Sequence, residues 1–491
     1  MLSVIEERRL RVSNSTDTVR KSLFGQFFTP ATTAWFMARL FTPSIAGDCR
    51  LLDAGAGIGS LSSAFLERCA SGELNFDKID VSAFELDTLL LKELNDSLIS
   101  YTNSTSLAYK IFDVDFIEEA VNRIQFGYKD YFTHAILNPP YKKINSNSRQ
   151  RLLLRLVGIE TVNLYSAFIA LSLELVKPGG QIVAIIPRSF CNGPYYRPFR
   201  NFMLERAAIR HIHLFNTRNK AFKDDNVLQE NIILMLERNG RQEDIKISTS
   251  SDDNFHDLTT HTHPFDRIVF PNDPECFIHI PTSPERNTIE LSAAIHCSLE
   301  DINITVSTGP VVDFRVKEYL RDMPELGSVP LLYPSHFTEQ RTEWPKLGLK
   351  KPNAICRNSQ TEKLLFPNGF YCVVRRFSSK EEKRRIMASV VQPEAFAKAE
   401  VLGFENHLNV FHENKRGLPA ALAYGLSVFL NTTAVDENFR RFSGHTQVNV
   451  TDLKLIKYPS RNALITLGQW AMQHTTFTQP MIDDQLDNLN S

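Results

Sequence analysis

The sequence predicts an α/β protein in its first half, a mostly parallel sheet covered by helices on both faces. A C-terminal part mixing short strands and short helices follows. Three observations predict this. Apolar strand-like runs alternate with helical patterns from Arg50 to about residue 240, the rhythm of parallel strands joined by crossover helices. A glycine turn at Gly55, Gly57 and Gly59 links the first run to its helix. After Asn239 the rhythm gives way to polar, weakly periodic sequence.

In chain order, residues 1–24 are mixed and polar and read as an N-terminal arm or short helix. Residues 29–42 (TPATTAWFMARLFT) read as a helix, with Thr29 placed as its cap and Pro30 in the first turn, where a missing N–H costs nothing. RLLDA (50–54) and VSAFEL (81–86) are strands, residues 109–113 are a third, and YFTHAIL (131–137) is a fourth. A helix over 167–176 meets Lys177-Pro178-Gly179-Gly180, a stop signal, before the strand QIVAIIP. Residues 209–214 and 231–236 are further strands. The expected domains are therefore 25–240 and 241–480, with a loose acidic tail over 481–491.

Composition bounds the function. The chain has 491 residues, enough for two or three domains, with 43% hydrophobic and 23% charged residues and a formal charge of -1. A uniformly basic shell is excluded, although local basic clusters are not. The seven cysteines stand singly, without a C-x-x-C pair, which argues against a disulfide framework or a cysteine-based zinc site. No run reaches the roughly 20 apolar residues that span a bilayer. The expectation is a soluble protein of the cytoplasm, without a metal.

LLDAGAGIGSLS (51–62) reads as strand, glycine turn and helix, where backbone can pass close to a flat ligand at a helix N-terminus. It is not the dinucleotide fingerprint, because Ser60 stands where G-x-G-x-x-G requires its third glycine. Glu85 ends the second strand and can accept ribose hydroxyls, while Asp53 precedes the turn. The fourth strand runs into Asn138-Pro139-Pro140-Tyr141. Two prolines make a rigid turn rich in carbonyls outside a strand's carboxyl end. The Asn138 amide oxygen and the Pro139 carbonyl can converge on a planar amino group, with Tyr141 stacking on the ring that carries it.

LLDAGAGIGS, FELD and NPPY, in that order and spacing, resemble the S-adenosylmethionine-dependent amino-methyltransferases. GQFFTP (25–30), Asp115-Phe116 and NLYSAFIALSLELVKPGGQIVAIIP (163–187) agree with that resemblance. The motif order is similar to the gamma, TaqI-like group of DNA adenine-N6 methyltransferases of type II restriction-modification systems. The resemblance implies a Rossmann-like methyltransferase domain. It assigns Thr29, Pro30, Asp53, Ala54 and Gly55 to the methionine end of the cofactor S-adenosyl-L-methionine, Glu85 to its ribose, and Asp115 and Phe116 to its adenine. Asn138, Pro139 and Tyr141 receive the target base. A second aromatic sandwiches that base in the family, and AFKDDNVLQENIILML (221–236) points to Phe222, with Phe215 as the alternative.

In the second half, GLPAALAYGLSVFLNTTAVDENFRRFSGHTQVNVTDLKLIKYP (417–459) resembles the target-recognition domain of the PstI/BsuBI-related methylases. Its apolar ALAYGLSVFLN must be buried. FRRFSGHTQVN offers Arg440, Arg441, His445, Thr446, Gln447 and Asn449 to phosphates or base edges. Ten Lys or Arg against three Glu lie between Lys350 and Arg385, and five basic residues, among them Lys142 and Lys143, follow the NPPY turn without an acid. Such clusters attract a phosphate backbone.

The expected partner is double-stranded DNA, acted on by a monomer that protects host DNA from a cognate restriction endonuclease without binding it stably. The PstI-like resemblance makes CTGCAG the site to test. Two alternatives stay open: an NPPY-type methyltransferase acting on protein glutamine or RNA, and an inactive or partner-dependent DNA-binding subunit. The long second half and the intact motifs argue against them respectively.

Overall fold

The computed structural model describes residues 2–15, 28–43, 47–103, 105–129, 131–216, 230–338, 342–379, 381–396, 398–443, 446–474 and 476–489. The chain divides into two compact units, Met1–Pro284 and Glu285–Ser491.

The first unit is built on a nine-stranded sheet. Its strands are β1 (Asp48–Ala54), β2 (Lys78–Phe84), β3 (Leu107–Phe112), β4 (Phe132–Leu137), β5 (Val176–Pro187), β6 (Ala207–Phe215), β7 (Asn231–Arg238), β8 (Ile245–Ser250) and β9 (Thr259–His263), in the order β3-β2-β1-β4-β5-β7-β6-β8-β9. β1 through β5 pair in parallel, but β7 runs antiparallel to both β5 and β6, and β9 antiparallel to β8. The sheet is thus mixed rather than the mostly parallel one expected. NIILML is a buried apolar run in either direction, so its pattern carries no sign of orientation.

The helices are α1 (Leu2–Ser15), α2 (Ala31–Leu40), α3 (Ser60–Ala70), α4 (Leu91–Ile99), α5 (Phe116–Gln125), α6 (Arg149–Leu156), α7 (Leu164–Leu175) and α8 (Arg197–Arg206). They cover both faces, and all six residues of β4 are buried. α5 shows the cause locally: Phe116, Ile117, Ala120, Val121 and Ile124 form one buried stripe at helical spacing.

Of the two forms expected for the N-terminal segment the structure shows the helix, α1, with Ile5 and Val12 buried in the core and Arg8 paired with Glu93 at 3.0 Å. Three expectations change. Pro30, not Thr29, is the cap residue of α2, and the Ala31 N–H donates instead to Glu6 Oε2 at 2.8 Å. Lys177–Gly180 lies within β5, where the register with β4 is irregular between Phe132 and His134. A Cβ at Gly180 would come within 2.7 Å of the Thr133 carbonyl oxygen, so a residue read as a stop serves close strand packing. The boundary moves from 240 to 284, because β8 and β9 extend the same sheet past the polar loop.

The second unit holds a four-stranded antiparallel sheet (Thr305–Thr308, Leu408–His412, Tyr371–Arg375, Ala388–Val391) and a five-stranded mixed sheet whose central strand is Ser328–Leu332. Ala420–Leu430, the apolar segment expected inside, is a helix crossing the helix Arg461–Met472. Glycines face each crossing partner: a Cβ at Gly425 would lie 1.7 Å from the Leu464 oxygen, and one at Gly468 1.6 Å from that of Ala421. The acidic end is a helix as well, Gln479–Asn488, anchored by buried Ile482 and Leu486.

Candidate active site

The strand order reverses between β1 and β4, and the carboxyl ends of parallel strands at such a reversal form a natural crevice. A cavity of about 370 Å³ lies there. Gly55, Glu85 and Asn138 line it, each the residue after β1, β2 and β4 respectively, together with Asp115 and Phe116 from the start of α5. Gly55 (φ +80°) and Gly57 (φ +57°) adopt the left-handed backbone that favours glycine. The Gly55 and Ala56 N–H groups both donate to the Phe84 carbonyl at 2.9 Å, folding the turn across the end of β2.

Three carboxylates meet this edge in different states. Glu85 accepts from the Gly57 N–H through Oε2 and from the Asp87 N–H through Oε1, both at 2.7 Å, so its head is fixed at the wall. Burial raises its pKa. Asp115 caps α5 through Oδ1, accepting from Ile117 N at 2.8 Å. Asp53 is fully buried and accepts from Ser62 Oγ at 2.6 Å through Oδ2. Its Oδ1 has no hydrogen-bond partner among the described residues. Burial pushes the Asp53 pKa up to about 7. Ala54, next along β1, is buried against β2.

The Asn138 amide is held from two sides. Nδ2 donates to Thr29 Oγ1 at 2.9 Å, and Oδ1 accepts from the Tyr141 hydroxyl at 3.1 Å. The same hydroxyl reaches the Ile185 carbonyl of β5 at 3.1 Å. Burial raises the Tyr141 pKa well above its ordinary value, so the phenol stays protonated. Pro139 is buried behind the turn. Thr29, Asn138 and Tyr141 thus form one connected group beside the glycine turn, and Pro30 follows Thr29 into α2.

Comparison with known proteins bears on this arrangement. Residues 19–222 match the family described as Eco57I restriction-modification methylase. The chain is 52% identical to the type II methyltransferase M.BsuBI of Bacillus subtilis, covering 100% of this chain and 98% of the relative. It is 42% identical to the type II methyltransferase M.PstI of Providencia stuartii over 98% and 96% of the two chains. The chain belongs to the type II methyltransferases. In fold alone it is similar to the DrdV–DNA complex solved by electron cryo-microscopy (TM-score 0.52, 12% identity, 96% of this chain and 59% of that one).

The family's cofactor is S-adenosyl-L-methionine, and the residues present suit it. The cavity falls in the range of roughly 300–1,000 Å³ typical of small-molecule sites. Asp53 lies beneath the turn, fully buried and outside the cavity lining, while Glu85 and Asp115 present the carboxylates of the cavity wall. A Cβ at Gly55 would stand 3.8 Å from both the Asn138 carbonyl oxygen and the Phe168 ring, so the missing side chain keeps the turn open. Phe116 packs 4.9 Å from Phe168 on α7, an apolar wall at the Asp115 side. Phe28, within the GQFFTP segment, also lines the cavity, as does Phe168, which the sequence did not single out. α7 is buried on every side, so no polar face marked the position of Phe168.

The remaining expected residues divide. Phe222 and His445 lie outside the described residues. Phe215, the alternative, belongs to the core, buried with its ring 4.7 Å from His213 and 5.9 Å from Phe255. Lys142 and Lys143 are exposed at the cavity's edge, whereas Arg149 pairs with Glu118, and Arg151 and Arg155 with Glu160. In the second unit, Arg440 binds Asp436 at 2.6 Å, Arg441 pairs with Glu290, and the Asn449 N–H donates to Asp452 at 2.8 Å. These three therefore brace their own unit instead of standing open to a ligand. Thr446 is exposed, and Gln447 bridges Phe377. Among the described residues no helix is long and apolar enough to cross a membrane.

Proposed function

We propose that the protein transfers a methyl group from S-adenosyl-L-methionine to the N6 amino group of adenine at a specific site in double-stranded DNA. The observation that carries this reading is the Asn138 amide, held by Thr29 directly beside the glycine turn of the cofactor cavity. Asp53, Ala54 and Gly55, with Thr29 and Pro30, hold the methionine end of the cofactor, Glu85 its ribose, and Asp115 and Phe116 its adenine. Bound there, the cofactor supplies an already electrophilic methyl sulfonium.

The chain's own residues do the rest. Asn138 Oδ1 and the Pro139 carbonyl accept the two amino hydrogens of a base swung out of the duplex, which turns the nitrogen lone pair toward the methyl group. Tyr141 stacks on that base, and Phe222 closes its other side. The extrusion costs a few kcal/mol of unstacking. No charged base is needed, and the protonated Tyr141 hydroxyl cannot act as one. Positioning is the source of rate. On binding, Asn138 Oδ1 exchanges the Tyr141 hydroxyl for the substrate, while the Ile185 carbonyl retains that hydroxyl.

Lys142 and Lys143 meet phosphates near the flipped nucleotide. In the second unit, Thr446, Gln447 and His445 present the recognition loop that Arg440, Arg441 and Asn449 support. The enzyme acts as a monomer in the cytoplasm and shares its site with a cognate endonuclease that it does not bind stably.

The test is methyl transfer by purified protein from labelled S-adenosyl-L-methionine, with unmethylated duplex DNA, RNA and a cell protein extract offered in parallel. N6-methyladenine in DNA is the expected product. Label in RNA or protein alone would replace the substrate and keep the chemistry. No label in any of them, with cofactor bound, would mean that the chain requires a partner.

A further inference from the structure

The second unit contains its own recess, about 780 Å³, with Phe337, Met387, Phe477 and Ile482 on its apolar side and Arg375, Glu382, Lys383 and Arg384 on its charged one. Arg375 is neutralised by Glu382 at 3.3 Å. Arg384 is not. Its Nη1 donates to the Gln479 side chain, but Nε and Nη2 are buried with no hydrogen-bond partner among the described residues. Asp436 and Asp483 are the acids near enough to favour its charge. Both are spent elsewhere: Asp436 on Arg440 and the Arg385 N–H, each at 2.6 Å, and Asp483 on the N–H and hydroxyl of Thr433, each at 2.7 Å.

A buried charged donor left without an acceptor is costly. Nε–H and Nη2–H are also adjacent, forming one straight edge of the guanidinium fork. That edge matches two coplanar acceptors side by side. On DNA these are guanine O6 and N7, or two oxygens of a phosphate. The walls favour the first. A phosphate keeps much of its hydration, whereas aromatic, methionine and isoleucine side chains suit the flat edge of a base.

We propose that Arg384 reads a guanine of the target sequence, its Nε–H and Nη2–H edge turning into the recess to donate to O6 and N7. This rests on the DNA reading above and adds the residue and the base that confer part of its specificity. The apolar wall holds the stem, and the planar head turns as one body, releasing the Gln479 side chain from Nη1.

The test begins with the unaltered protein on duplexes in which each guanine of its mapped site is replaced in turn by 7-deazaguanine. One position should slow methylation roughly tenfold or more. Arg384→Lys, which keeps the charge and loses the fork, should be insensitive to that replacement. It should also accept other bases there, with discrimination reduced by roughly 10- to 100-fold. Arg384→Gln, with melting temperature followed alongside, should behave likewise. A uniform loss across all sequences, with the salt dependence reduced by about one unit of slope, would mean a phosphate contact and overturn the proposal. So would the absence of any 7-deazaguanine effect on the unaltered protein, or unchanged base preference in both variants. Unaltered protein that methylates no DNA would overturn the parent reading and this proposal together.

Discussion

The Asn138 side chain donates Nδ2–H to the Thr29 hydroxyl at 2.9 Å across 109 residues of sequence. With the Tyr141 hydroxyl on Oδ1, this bond holds the amide in place, and an amide turned by 180° would offer its NH2 group to the substrate. Thr29→Val should therefore lower kcat about tenfold, the worth of one buried hydrogen bond, and Thr29→Ser should restore it. Asn138→Ala should abolish most turnover while cofactor binding persists. Single-turnover methylation with parallel cofactor titration checks both, and a Thr29→Val enzyme with unchanged kcat would remove the orienting role.

Asp53 makes stability depend on pH. Burial raises its pKa from 3.8 to about 7 in the folded chain. A raised carboxyl contributes stability fully below the unfolded value, and the contribution is lost as pH rises through the folded value. Between pH 4 and 7 the loss is on the order of 4 kcal/mol. Half-buried His211 and buried His213, pushed down chiefly by desolvation to about 4 and about 3, act in the opposite sense as pH falls through 6.5. The informative quantity is thus the difference in unfolding free energy between wild type and Asp53→Asn. That difference should shift steadily in favour of the variant up to neutrality and level off above it.

Phe215 and Phe222 should separate cleanly. Phe215→Ala removes a buried ring from the core and should cost roughly 3–5 kcal/mol in denaturation. Phe222→Ala should leave the melting temperature near wild type. It should weaken retention of an extrahelical base, read by fluorescence of 2-aminopurine at the target position. A large loss of stability from the second substitution would end its assignment to the base pocket.

Gly468→Ala places a methyl group 1.6 Å from the Ala421 carbonyl oxygen, where backbone rather than a pliable side chain must move. The expected cost is about 3 kcal/mol or more. Limited proteolysis should then show the helices around 420–430 and 461–472 cut early. A control at exposed Asn462 should show no such effect.

The chemistry was legible because it depends on short local strings. Strand, glycine turn and helix at 51–62, an acid at the next strand's end, and NPPY after the fourth strand each carry their reason within a few residues. Phe168 escaped notice because a helix buried on all sides has no periodicity to read. The boundary near 240 was misplaced because a polar loop looks alike inside a domain and between two.

By itself, the sequence determined the family of reaction, the cofactor and the order of the elements, since backbone freedom at Gly55 and the rigidity of Pro139 and Pro140 are properties of those residues wherever they lie. Tertiary structure decided what depends on distant partners. It made Thr29 the anchor of Asn138 rather than a helix cap, assigned Arg441 to Glu290 rather than to open surface, and reversed β7 within the sheet. Hydrogen bonds and ion pairs are set by proximity in space, and proximity between residues a hundred positions apart exists only once the chain has packed.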